Sequence, residues 1–177
     1  MVYGSVAFNA LWATLAIHVG EAPFNYSVQQ AGMFGIIALA GTIGAKVSGR
    51  LVNKYGASKL ITVGLLFILS GFAVFALWGD TLTGMIIGIV LVDLGVFGSQ
   101  IPNQVRIFSI DPKAQSRMNA IYMLCYYIGG AIGSAVGVSV MSAYGWIGLS
   151  FFGLVVVLLA LIYHAIKSKK QVVTAVA

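Results

Sequence analysis

Six stretches of the sequence are apolar for long enough to cross a lipid bilayer, and short polar links separate them. They run Val2–Gly20, Ser27–Val52, Leu60–Trp78, Leu82–Val105, Met118–Ser142 and Trp146–Ile166. Crossing ~30 Å of hydrocarbon takes about 20 residues at ~1.5 Å rise each. All six runs are too long for strands. In lipid, every backbone N–H and C=O must find its partner inside the protein, which a helix provides within one segment. The pattern predicts an all-α integral membrane protein of six transmembrane helices, residues 1–177, with no soluble domain. The first run lacks a basic stretch before it and a small-residue cleavage site after it, so it reads as a retained helix.

The links orient the helices. Glu21–Tyr26 joins the first two runs, Gly79-Asp80 the third and fourth, and Tyr144-Gly145 the last two as an antiparallel hairpin. The longest link, Arg106–Arg117, contains Asp111-Pro112, a helix-start signal that predicts a short interfacial helix. Every lysine and arginine falls in one of three places: Lys46, Arg50, Lys54 and Lys59; Arg106, Lys113 and Arg117; Lys167, Lys169 and Lys170. Six crossings put all three on one face. The other face carries Glu21 and Asp80 and no basic residue. The positive-inside rule makes the basic face cytoplasmic, with both termini inside. Trp78, Tyr144 and Trp146 are expected at the outer interface.

Composition narrows the class further. Sixty per cent of the residues are hydrophobic, 8% are charged and the mean hydropathy is +1.00. A soluble domain of this size could not hide that much apolar surface. The net charge of +6 sits between apolar runs, which assigns it to topology and not to nucleic acid. The single cysteine, Cys125, excludes a disulfide framework, and no Cys/His spacing suits a metal. No nucleophile elbow, HExxH or phosphate-binding glycine loop is present, so neither an enzyme nor a cofactor is indicated.

Polar residues inside the runs are unevenly shared. The third and sixth runs are almost purely apolar and suit lipid-facing positions. The first carries Asn9, Trp12, Thr14 and His18; the fourth carries Asp93, Ser99 and Gln100; the fifth carries Asn119, Tyr122, Tyr126 and Tyr127. These three need a polar neighbourhood or a wet cavity. An apolar third member in each set of three is what an inverted 3+3 repeat, about 1–79 and 80–177, would produce.

Asp93 is the sharpest feature. A carboxylate at mid-membrane costs about 2.5–3.5 kcal/mol on insertion scales. No lysine or arginine lies at its depth; Arg106 is thirteen residues along the same run. Either Asp93 loads and releases a proton for coupling, or it stays protonated against a tyrosine or a backbone carbonyl. His18 and Glu21, spaced i, i+3, either share a proton or sit among headgroups. Gly129, Gly133 and Gly137, with Gly130 beside them, form a small-residue face suited to close helix packing. Tyr122, Tyr126 and Tyr127 with Met123 make an aromatic surface that either lines an amphiphile pocket or packs between helices. Asn9 and Trp12, i and i+3, leave the same two possibilities open.

The stretch Gly49-x-Leu51-x-Asn53-Lys54-x-Gly56-x-x-Lys59 resembles the G-x-L-x-D-R-x-G-R-K signature of the major facilitator superfamily. That signature joins helices two and three and recurs, weaker and often without its acid, between helices eight and nine. Asn53 stands at the acid position, which favours the second copy. Asp93-Leu-Gly95, Asn103-Gln-x-Arg106-Ile107, Arg117-x-Asn119-x-x-Tyr122-Met123 and Gly129-Gly130-x-x-Gly133 resemble helices ten and eleven of bacterial drug:proton antiporters. The resemblance implies the C-terminal half of a major facilitator fold in the bacterial inner membrane. It also implies export of a small amphiphilic or drug-like compound by alternating access, driven by protons. The cavity would be lined by Asn9, Trp12, Asp93, Gln100, Tyr122 and Tyr126. The partners implied are the lipid bilayer, the substrate, protons, and an N-terminal six-helix half or a second copy. A rival reading is a six-helix membrane protein that transports nothing and serves as an interaction partner.

Overall fold

The computed structural model describes the backbone of residues 2–176 and the side chains of residues 2–168. Met1 and the side chains of Lys169 and Lys170 lie outside the described residues. The helices are α1 (Val2–Gly20), α2 (Val28–Ile37), α3 (Ala40–Tyr55), α4 (Ala57–Trp78), α5 (Leu82–Phe108) and α6 (Gln115–Val176). A 3-10 turn, Pro112–Ala114, precedes α6. No strand occurs among the described residues. Among the described residues five segments are long and apolar enough to cross a membrane: Val2–Gly20, Val28–Tyr55, Ala57–Trp78, Leu82–Phe108 and Pro112–Ser168.

The second apolar run is two helices rather than one. Ser27 and Gln30 open α2 with reciprocal side-chain-to-backbone bonds of 3.3 and 2.8 Å. At Ala38 and Leu39 the backbone tightens, with ψ of −19° and −21°. Bonds three residues apart replace the regular ladder, among them Gly41 N–H to Ala38 O at 3.0 Å. The Thr42 hydroxyl also donates to Leu39 O at 2.6 Å and competes for that carbonyl. The basic link after α3 is shorter than a loop. Helix continues through Tyr55, and Gly56 alone connects it to α4. Gly56 has φ 82° and ψ 149°, a region essentially reserved for glycine.

The last two runs form one long element interrupted at Gly145, whose φ of 64° and ψ of −163° are also non-helical. Before it, Gly129 faces Val2 and Ser5, Gly133 faces Val6, and Gly137 faces Ala10. The 115–144 limb therefore runs alongside α1 in the same direction. After it, Trp146 lies against Phe75, Gly153 against Phe72, and His164 against Ser58. The 146–168 limb therefore runs back along α4, and Tyr163 returns to within 6.3 Å of Tyr3.

Helix α5 is the hub, packing against α3 and α4 and touching α1, α2 and α6. Its glycines permit this. A Cβ on Gly95 would lie 2.5 Å from Gly64 O, and one on Gly88 would strike the Phe75 ring. Around these contacts Phe72, Phe75, Ile68, Met85, Ile89 and Val92 are buried. Helix α4 is thus not a simple lipid-facing helix. One face packs on α5 and the other exposes Val63, Leu66, Leu77 and Trp78.

Candidate functional site

The face that α5 turns toward α1 carries Asp93, Phe97 and Gln100, spaced i, i+4, i+7. The neighbouring faces are already occupied. Gly88, Val92 and Gly95 meet α4, while Leu94 lies against Gly44 of α3. Phe97 meets Phe8 of α1 edge-on at 5.9 Å, and Phe8 meets Trp12 at 6.2 Å. Asp93 is completely buried. Neither of its carboxyl oxygens has a hydrogen-bond partner among the described residues.

Three further groups converge there. The indole N–H of Trp12 is directed at the Asp93 carboxyl without closing a hydrogen bond. Tyr126, half-buried, lies within electrostatic reach of Asp93, and Tyr122 lies within reach of Tyr126. The Tyr122 hydroxyl is buried and also unpartnered. An unmet buried polar group costs about 1–3 kcal/mol, so several in one place is a marked departure from ordinary packing. The arrangement can hold a proton on Asp93 and present two ring systems and polar hydrogens to a bound molecule.

The remaining sequence candidates are distributed around this point. Asn9 donates to Ser5 O at 2.9 Å along its own helix and lies beside Gly130 at the α1–α6 seam. Gln100 is half-buried one turn beyond Phe97. Tyr127 is 67% exposed and its ring meets Tyr126 edge-on at 5.8 Å, at the outer side of that aromatic surface. A Cβ on Gly133 would overlap the Val6 backbone, and one on Gly137 would lie 2.7 Å from Ala10 Cα. Of the basic stretch, Gly49 and Leu51 are half-buried, whereas Asn53, Lys54, Gly56 and Lys59 are exposed. Phe8 and Phe97 wall the site and were not singled out from sequence. The signal available was Phe97 four residues after Asp93.

His18 is the largest departure from expectation. It is buried, not placed among headgroups, and its nearest acid is Asp80 and not Glu21. Its Nε2 is 3.0 Å from Gly79 O and 4.0 Å from Asp80 Oδ1. Its ring stacks on Trp146 at 4.0 Å and 7°, which buries that tryptophan instead of leaving it at the interface. Phe24 closes the cluster edge-on at 5.6 Å. At the opposite end His164 Nε2 is 3.1 Å from Ser58 O, and Ser58 Oγ is 2.9 Å from Ser168 Oγ. Among the described residues no group of three or more His, Cys, Asp or Glu could hold a metal.

Comparison with known proteins adds a family. The sequence profile of the Major Facilitator Superfamily matches residues 5–174. "Uncharacterized transporter YgaY" of Escherichia coli O157:H7 is 36% identical over 155 residues, 88% of this chain and 39% of that protein. "Probable transporter SCO4007" of Streptomyces coelicolor is 28% identical over 149 residues, 84% of this chain and 34% of that protein. "4-hydroxybenzoate transporter PcaK" of Acinetobacter baylyi is 27% identical over 130 residues, 71% and 26% respectively. The chain thus spans about two fifths of the length of the first of these relatives. No solved structure matches it.

Proposed function

The chain belongs to the major facilitator superfamily, and we propose that it is the C-terminal half of a proton-driven exporter of small amphiphilic or drug-like compounds. It is a membrane transporter protein and not an enzyme. Six crossings support the half-transporter reading: α1, the α2–α3 pair, α4, α5 and the two limbs of α6 on either side of Gly145. They divide into a 3+3 repeat at about residue 79. The basic ends share the cytoplasmic face of the inner membrane, with both termini there.

An N-terminal six-helix half would cover what this chain leaves bare. The α2–α3 pair is the least buried of the five candidate spans, and it exposes Val28, Met33, Ile36 and Leu39. The apolar row continues too far along the pair to be a single surface residue of no consequence. Gln100 and Tyr126, which are only half-buried here, would be covered from that second half.

The observation that carries the reading is a fully buried carboxyl with no hydrogen-bond partner on either oxygen among the described residues, in a setting of Trp12, Tyr122 and Tyr126. Intramembrane acids of this kind mark ion and proton pathways. In the proposed cycle Asp93 takes a proton from one compartment as substrate leaves the ring faces of Trp12 and Tyr126. It gives the proton up on the other side as the next substrate arrives. The Acinetobacter relative is named for an aromatic substrate, and ring faces such as those of Trp12 and Tyr126 suit that chemistry. The test is proton-linked transport in vesicles containing this chain with its N-terminal half, comparing wild type with Asp93→Asn. Loss of coupled flux with normal membrane insertion supports the proposal. Wild-type flux at every pH contradicts it.

A further inference from the structure

Helix α3 packs along α5 and makes few contacts with α4, which leaves a groove of about 220 Å³ between α3 and α4. Ile43, Val47 and Leu51 form one wall, and Leu60, Val63 and Phe67 form the other. Leu94 and Gly98 of α5 make the floor. The one hydroxyl in the lining, on Ser48, is committed to Ala45 O at 3.0 Å. Hydrocarbon suits such a surface; a polar solute does not.

The rim is different in kind. Ile43, Val47 and Leu51 recur every fourth residue, and Lys46, Arg50 and Lys54 recur at the same interval three positions later. On a helix this lays an exposed basic stripe directly beside the apolar wall. Lys59 adds a fourth exposed cation at the start of α4. Lys46, Arg50 and Lys59 form no ion pair among the described residues, and Lys54 sits over the Tyr55 ring at 5.3 Å. The chain has four acids. Glu21 and Asp80 belong to the opposite end, Asp93 is buried on α5, and Asp111 caps the Lys113 N–H at 3.0 Å. Among the described residues none of the four forms an ion pair with the stripe.

We propose that this groove is a binding site for one anionic phospholipid of the inner leaflet. One acyl chain lies between α3 and α4, and the phosphate is held by Arg50, Lys54 and Lys59. An apolar slot between α3 and α4 that leads to exposed cations at one end of these helices matches a molecule with a hydrocarbon tail and a negative head. Basic pockets between helices on the cytoplasmic side have this chemistry. The inference does not depend on which compound is transported.

Native mass spectrometry of the purified chain, titrated with phosphatidylglycerol or phosphatidylcholine, tests it. Wild type should retain phosphatidylglycerol in preference. The double variant Arg50→Ala, Lys54→Ala changes exposed positions only, and should lower that preference about tenfold. Gly98→Leu tests the slot separately. A Cβ there meets nothing nearer than 3.8 Å, so the larger side chain should project into the groove and displace the lipid while the stripe stays intact. Equal retention of the two lipids by wild type overturns the proposal. So does an unchanged preference in the double variant, or undiminished retention in Gly98→Leu.

Discussion

Two buried titratable groups stand in aromatic surroundings at different depths, and their surroundings treat them in opposite ways. His18, at one end of α1, has a carbonyl at 3.0 Å, an acid at 4.0 Å and an indole stacked at 4.0 Å. Asp93, on α5, has the Trp12 indole directed at it but no closed hydrogen bond on either oxygen among the described residues. The first arrangement is what packing produces when it satisfies a polar group. The second leaves a cost unmet inside the protein, as sites that must exchange a proton or a ligand do. Burial alone does not distinguish the two groups; the partners on His18 do, although the Trp146 indole N–H stacked beside it is itself unpartnered among the described residues.

The comparison can be broken most severely at Asp93. Asp93→Asn keeps the shape and removes the titrating proton. Proton-linked flux in vesicles should fall to background, while the amount of inserted protein is unchanged. At the other pole, His18→Ala should destabilise the helix end by about 2–4 kcal/mol, because it leaves Gly79 O unpaired and removes the Trp146 stack. Thermal unfolding in detergent measures that loss, and transport by the surviving folded protein should persist. Asp93→Leu sharpens the contrast by separating stability from activity. It removes an unsatisfied acid, so the unfolding free energy should rise by about 1–3 kcal/mol while transport is lost. Gly145→Ala forces a side chain into a glycine-only conformation and should cost about 1–3 kcal/mol with no specific effect on proton coupling. The smallest effect belongs to Asp80→Asn. Its side chain is 74% exposed at 4.0 Å from His18, so stability should move by less than about 0.5 kcal/mol. A larger change would mean that the acid, and not the carbonyl and the indole, holds His18.

What could be read from sequence followed from the solvent. Lipid forces long apolar segments into helices, so α1, α4 and α5 lie close to the runs of the hydropathy pattern. Gly145 fell in a link between two runs, where the structure places the break, whereas the sequence did not show that Gly56 alone would connect α3 to α4. The break at Ala38-Leu39 was not legible, since it depends on the Thr42 hydroxyl competing for a backbone carbonyl and leaves the apolar pattern intact. His18 was misplaced for a related reason. Spacing along one helix suggested Glu21, whereas the actual neighbours come from positions 79, 80 and 146, which only the tertiary fold brings together. Asp93 and the polar faces of α1 and α6 were visible as residues that lipid would reject. Their convergence with Phe8 and Phe97 depended on which side of α5 the glycines gave to α4.

Infrared difference spectroscopy on the chain in membranes tests the central claim without knowledge of the substrate. Wild type should show a protonated carboxyl C=O band that is lost on titration with base, and Asp93→Asn should lack it. A band that persists at every pH, or one that survives in Asp93→Asn, would contradict the assignment of Asp93 as the group that carries the proton.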